Sequence, residues 1–230
     1  MRVRQVTMDE TTSWASPVRS DSAEGTGFSM EHVSALLLRP WAESDAAGMR
    51  EAIDEDVGHL KPWLSWSLAE PVSLERTRNR LREYVDQFQQ GLAWRYAITP
   101  HDQTSLILGG AGLNVRVGPG AHDVGYWVRR SATRQGIAAA AVSALAVHAF
   151  SDRRIDRLVI QCDVANSASA SFARAIGFLF RGSASATYPD GRLRPLLQFE
   201  MTRDRYRKVF ASRIQERARR VRLLIDHPPS

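Results

Sequence analysis

Apolar positions along the chain switch between two periods, and the switches mark out the elements. "SALLLRPW" (Ser34–Trp41) is a nearly continuous apolar run and predicts a first strand. "ESDAAGMREAIDED" follows with helical spacing and Ser44 as its N-cap. "SLERTRNRLREYVDQFQQG" places Leu74, Leu81, Tyr84, Val85 and Phe88 near one stripe, opens on Ser73 and stops at Gly91. Three strands are predicted next, in "LAWRYAIT", "SLILGGAGLNVRV" and "HDVGYWVRR". A Gly-Pro-Gly turn at 118–120 separates the last two. "SATRQGIAAAAVSALAVHAF" (Ser131–Phe150) is helical by its alanine content. "RIDRLVIQCDV" reads as a buried strand, and "NSASASFARAIGF" as a short helix from N-cap Asn166 to a stop at Gly177. "FLFRGSASATY" and "RLRPLLQFEMT" flank Pro189-Asp190-Gly191 and predict a hairpin. The order β-α-α-β-β-β-α-β-α-β-β is a mixed α/β (α+β) layout.

The two ends read differently from the middle. Residues 1–30 are polar and aperiodic, which predicts a disordered extension, with Met30 as an alternative start. Residues 31–203 form the predicted domain. In 204–230, Tyr206, Phe210, Ile214, Ala218, Val221 and Ile225 recur at helical spacing, predicting a basic amphipathic helix and tail. Of the net +6, this tail carries more than all: Arg203 to Arg222 holds nine Lys/Arg against two Asp/Glu. The body is nearly neutral, so any attraction to an anionic partner belongs to the tail.

The 230 residues, 43% of them hydrophobic, suit one domain with appendages. The lone Cys162 lies in an apolar run. It excludes a disulfide framework and a Cys-based zinc site, and a buried thiol is expected. His59, His101, His122 and His148 lack metal-ligand spacing, so no metal is expected. No stretch reaches the roughly 18 apolar residues of a membrane span. No apolar signal core opens the chain, so a cytoplasmic protein without membrane contact is expected.

The strand "DVGYWVRR" enters the Ala-rich helix through Arg134-Gln135-Gly136. A glycine turn at a helix start leaves backbone N–H groups open, and with the helix dipole these favour an anion. Gly136 admits close approach of a phosphate, Ala138 and Ala139 keep the surface low, and Arg134 adds charge. The same residues also suit an ordinary turn before a buried helix.

On these residues the chain resembles the GNAT superfamily of acyl-CoA-dependent N-acetyltransferases, from about Ser34 to Thr202. Thr133-Arg134-Gln135-Gly136-Ile137-Ala138 resembles that family's Q/R-x-x-G-x-G/A pyrophosphate turn. Thr133 departs from the usual first residue, with Arg134 beside it as a compensating contact. Asn166, Ser169, Gly177 and Phe178 match a second motif. "LLLRPWAESDAAGM", "GHLKPWLSW" and "VGYWV" resemble the RimJ/RimL-type branch. The resemblance implies a mostly antiparallel twisted sheet, split between its fourth and fifth strands, with helices on both faces. It implies acetyl-CoA as cosubstrate, no metal, and direct attack of a primary amine on the thioester. The implied cofactor contacts are Val128, Arg129, Arg134, Gln135, Gly136, Ile137, Ala138, Ala139, Asn166, Ser169 and Phe172.

The same resemblance implies an oxyanion site at the Val128 N–H. Asp123 is the first candidate base and Glu200 the second. Ser169 is the candidate proton donor to the thiolate, with Tyr188 in reserve, because Phe199 stands where many relatives have a tyrosine. Trp63, Trp66 and Tyr126 are expected around the acceptor. A surface carboxylate, a helix cap and a hydrophobic lid are the structural readings of these same residues. The expected acceptor is the N-terminal α-amine of a ribosomal protein. A small amine such as an aminoglycoside or polyamine is the alternative, for which Glu51, Asp54, Glu55 and Asp56 would be an attraction. A non-catalytic CoA-binding or ribosome-binding module is the third reading. The partner expectations are ribosome contact through the basic C-terminal helix, and a homodimer.

Overall fold

Alternation within the strands decides which face of the sheet each residue joins. The computed structural model describes residues 35–64, 67, 69–115, 117–187, 191, 193–210 and 221–223. Its strands are β1 (Leu36–Pro40), β2 (Ala93–Pro100), β3 (Gly109–Asn114), β4 (Ala121–Val128), β5 (Arg157–Asp163), β6 (Leu179–Thr187), β7 (Leu193–Thr202) and β8 (Val221–Leu223). They make one sheet in the order β6-β7-β5-β4-β3-β2-β1-β8. Only β4–β5 and β1–β8 run parallel; the other neighbours are antiparallel.

Tyr96, Leu113, Val124, Leu158, Ile160, Phe199 and Met201 point to one face. There they pack on α4 (Ile137–Ser151) and α5 (Ser167–Ala175). Alanines fill α4, so it lies close to the strands and is buried over most of its length. Ala97 and Trp127 point to the other face, against Met49 and Ile53 of α1 (Ala46–Asp54) and Leu81 of α3 (Leu74–Gln89). Of the predicted α3 stripe, Leu81 and Tyr84 join this face, while Phe88 packs on Tyr96 in the other cluster and Leu74 is exposed. Among the described residues, no helix is long and apolar enough to cross a membrane.

One ion network and one arginine–carbonyl cluster lock the periphery. Glu70, 2% exposed, takes Arg50 on one oxygen and Arg80 on the other at 2.8 Å. Lys61 Nζ donates to the Glu70 carbonyl at 3.0 Å. Glu70 therefore fixes the segment between α2 (Val57–Leu60) and α3. Arg203 donates to the carbonyl oxygens of Phe150 (2.7 Å), in the last turn of α4, and of Asp152 and Ile155 in the turn that follows it.

Several boundaries differ from the sequence reading. Ser44 is not the cap of α1: a 3₁₀ turn at Glu43–Asp45 precedes it, and Asp45 accepts from Ala42 N–H at 2.9 Å. The first helical run ends at Asp54, and a short α2 not expected from the sequence follows it, capped by Asp56, which accepts from His59 N–H at 3.0 Å. The tail is not one amphipathic helix. Arg203–Arg205 (α6) and a π-turn at Tyr206–Phe210 are helical, but Val221 lies in β8, paired beside Leu36 of β1. An unpaired strand edge outweighs local helical spacing at that position. The extension 1–30 lies outside the described residues, as do Trp66 and Tyr188.

Candidate active site

The sheet opens between β4 and β5. Their pairing consists of Ala121↔Arg157, His122↔Leu158 and Asp123↔Val159. Both strands continue past it, to Val128 and Asp163, while β4 stays paired with β3 as far as Val128↔Gly109. Arg129 N–H donates to the Leu108 carbonyl at 2.8 Å. In an antiparallel pair, successive N–H groups alternate between edges. The Tyr126 and Val128 N–H groups therefore point away from β3, into the opening. Such donors, unused by the sheet, are suited to an anionic oxygen.

The β4–α4 turn stands at the mouth of this opening. Thr133 Oγ1 donates to the Arg130 carbonyl at 2.9 Å and Gln135 Nε2 to the Ser131 carbonyl at 3.2 Å, so side chains hold the turn. Arg134 and Gly136 adopt left-handed φ values of 64° and 79°. No atom lies within 4 Å of where a Gly136 side chain would begin. Buried Ile137 anchors the first turn of α4, with Ala138 and Ala139 half-buried beside it. Exposed N–H groups, open space above a glycine and an exposed Arg134 together suit a pyrophosphate.

Arg129 departs from its expected role as a cofactor contact. Its side chain is buried, and donates through Nε to Glu55 at 2.6 Å and through Nη2 to Glu51 at 3.3 Å. Ser131 Oγ also donates to Glu55, at 2.9 Å. Burial alone would raise the Glu55 pKa, but the bonds from Arg129 and Ser131 outweigh it and hold the carboxyl below its ordinary value. Arg129 thus clasps the end of α1 to the end of β4. The acidic cluster expected to attract a polycation is consumed in the same way: Asp54 pairs with Arg50, and Asp56 caps α2.

On the α5 side of the opening, Asn166 caps the helix by accepting from Ser169 N–H at 3.0 Å. Ser169 Oγ lies 2.7 Å from the Tyr126 hydroxyl. The Tyr126 ring rests on Phe172, with centroids 4.6 Å apart. Burial raises the pKa of Tyr126, with the Ser169 bond opposing it. Buried Cys162 also meets Ser169, and burial raises its thiol pKa. Tyr126 shares the α4–α5 face with Val124 and Val128, while its neighbour Trp127 packs on the other face.

The opposite face holds Gly125, exposed and with no atom within 4 Å of its missing side chain. Gln161 and Gln198 face each other across β5 and β7 on that side, Nε2 to Oε1 at 3.3 Å. Arg194 Nη1 donates to the Pro62 carbonyl at 3.0 Å and approaches Asp163 at 3.9 Å, so the half-buried Trp63 is held near β7. Asp123 is buried at the closed end of the opening, where Asn114 Nδ2 donates to it at 3.4 Å. Glu200 lies in the same row, bracketed by Arg157 at 3.7 Å and Arg181 at 3.4 Å. Phe199 is fully buried on the other face. Among the described residues no group of three or more His, Cys, Asp or Glu could hold a metal ion.

Residues 35–179 match the Acetyltransferase (GNAT) domain. The chain belongs to the GNAT acetyltransferase family. It is 33% identical over 127 residues to the ribosomal-protein-serine acetyltransferase of Escherichia coli, covering 53% of this chain and 69% of that one. Among solved structures it is similar to RimL, a ribosomal L7/L12 alpha-N-protein acetyltransferase in complex with coenzyme A. That match has a TM-score of 0.65 and 27% identity, covering 74% of this chain and 94% of the other. Mycobacterium smegmatis RimJ, in complex with CoA-disulfide, superposes with a TM-score of 0.67 at 23% identity, over 82% and 94% of the two chains, a likeness of fold. As a member of this family the chain is an acetyltransferase, with the split sheet and the turn before α4 that its motifs imply.

Sequence reasoning missed the Tyr126–Ser169 contact, the Gln161–Gln198 pair and the Arg194 strap. Strand alternation could have grouped Tyr126 with Val124 and Val128. No local signal pairs residues 43 positions apart.

Proposed function

We propose that this acetyltransferase moves the acetyl group of acetyl-CoA to the N-terminal α-amine of a ribosomal protein. The observation that carries this reading is the opening between β4 and β5, with the Tyr126 and Val128 N–H groups aimed into it. The Arg134–Ala139 turn would take the pyrophosphate, and those N–H groups would meet the thioester oxygen as it gains charge. Ser169 would sit beside the sulfur. No metal is needed.

The acceptor choice rests on charge. Carboxylates around the acceptor face already have cationic neighbours: Glu51 and Glu55 meet Arg129, Asp163 meets Arg194, Glu200 meets two arginines. Gln161 and Gln198 offer neutral amides, which suit a peptide group better than a polycation. An α-amine has a pKa of about 7.7–8.0, so roughly a tenth is neutral at pH 7. A lysine amine near 10.4 would need about 3.5 kcal/mol more. Weak demand for a base fits Asp123. It is five residues from Val128, about 16 Å along the strand, and would act through water. The basic tail would draw the enzyme to the anionic ribosome in the cytoplasm.

Thiol release from acetyl-CoA, followed with peptides bearing ribosomal-protein N-termini, lysine-containing peptides blocked at the N-terminus, polyamines and aminoglycosides, tests the reading. We expect the highest kcat/KM with an unblocked N-terminal peptide. Faster turnover of a polyamine or aminoglycoside would overturn it.

A further inference from the structure

Tyr126 comes from β4 and Ser169 from α5, so their 2.7 Å contact spans the place where β4 and β5 part. A serine hydroxyl has one proton. It can give that proton to one partner while accepting from another. Tyr126 is held on three sides: by its strand, by the Phe172 ring and by the Val124–Val128 face. Its phenol is buried among these groups, and burial pushes its pKa above the ordinary tyrosine value. A protonated phenol 2.7 Å from Ser169 Oγ can donate to it, and in that orientation Ser169 keeps its own proton for a second partner.

We propose that Tyr126 is a positioning residue: its hydroxyl donates to Ser169 Oγ and so aims the Ser169 proton at the coenzyme A sulfur. This rests on the acetyl-transfer reading above. In that reaction the C–S bond breaks as the C–N bond forms, and the proton lost by the amine ends on the sulfur. Ser169 stabilises the departing thiolate with its hydrogen bond, and Tyr126 keeps its proton throughout. The other groups near this point are Cys162 and Asp163 on β5 and Arg174 on α5. For the Cys162 thiol, burial opposes ionisation, Arg174 favours it and Asp163 opposes it.

The test has two parts. The first titrates the thiol of bound coenzyme A by its ultraviolet thiolate absorbance, in wild type, Ser169→Ala, Tyr126→Phe and the double variant. Cys162→Ala is included in every background, so that one enzyme thiol cannot be confused with the ligand's. Loss of the Ser169 donor should raise the bound thiol's pKa, and Tyr126→Phe should raise it part of the way. The double variant should match Ser169→Ala alone, because Tyr126 acts through Ser169. The second part is turnover with an N-terminal peptide. Tyr126→Phe should lower kcat about tenfold with peptide KM unchanged, and Ser169→Ala about a hundredfold. Additive effects in the double variant, or a Tyr126→Phe thiol pKa equal to wild type, would overturn the assignment. Wild type inert towards every amine would defeat the acetyl-transfer reading instead, and the thiol titration would still judge the pair.

Discussion

Val159 is the last residue of β5 to pair with β4, and Asp123 is its partner. Beyond that rung the strands part, so Asp123 lies at the closed end of the opening while the Gly136 turn lies at its mouth. The two candidate roles, base at Asp123 and oxyanion donor at Val128, therefore cannot touch one attacking atom. The Tyr126 N–H is two residues nearer to Asp123 and points into the same space.

A base working through water tolerates distance but not loss of charge. Asp123→Asn keeps the size and the bond with Asn114, so folding should be unchanged. Turnover should fall about 10²–10⁴-fold with little change in acetyl-CoA affinity, and the acidic limb of the kcat/KM profile should vanish. An unaltered pH profile would exclude Asp123. Glu200, bracketed by Arg157 and Arg181, would be the next carboxylate to test.

The turn before α4 makes a sharper demand. Gly136 is left-handed, a conformation that Asn and Asp tolerate better than other side chains. Gly136→Asn adds bulk alone; Gly136→Asp adds bulk and negative charge where a pyrophosphate should lie. Calorimetric titration with acetyl-CoA should show the Asp variant binding at least about tenfold more weakly than the Asn variant. Equal affinities for the two would remove the phosphate from this turn.

Much of this was legible because the determinants are local. The turn into α4, the Asn166 cap and the face of each strand follow from neighbours in sequence. What failed was set by distant partners. Arg129 reads as a cofactor contact until α1 brings Glu51 and Glu55 to its side chain from 78 and 74 residues away. Tyr126, expected beside Trp63 and Trp66, is the local exception: the pleat alone places it with Val124 and Val128 and opposite Trp127. Val221 has helical spacing, but the free edge of β1 supplies backbone partners that spacing cannot reveal.

The Arg129–Glu55 clasp should make stability depend on pH. Glu55 has a folded pKa below its ordinary value, so its contribution is present above the unfolded pKa and is lost as pH falls through the folded one. Its side chain is 25% exposed, so the loss in Glu55→Gln should be only about 1 kcal/mol at pH 7. That is about 2–4 °C in Tm. Melts followed by circular dichroism at pH 7 and at a pH below the lowered Glu55 pKa should show the gap between wild type and variant closing in acid. A gap of equal size at both pH values would mean that packing, and not the charge, is what the variant lost.

The tail separates into two roles that can be tested apart. Removing residues 221–230 takes away β8 and leaves the edge of β1 unpaired. Tm should fall by several degrees and aggregation on warming should rise, because a free strand edge invites pairing with another chain. Reversing charge at Arg213, Arg217, Arg219 and Arg220 leaves β8 in the chain and removes only the basic stretch before it. That variant should melt like wild type and acetylate a short N-terminal peptide at the same rate. With an intact ribosomal target it should be slower, and its rate should lose most of the salt dependence seen for wild type, since that dependence comes from screening of the tail's attraction to an anionic surface. Equal slowing on the short peptide would tie the arginines to the folded domain. Unchanged kinetics and salt dependence on the intact target would leave the tail no part in recruitment.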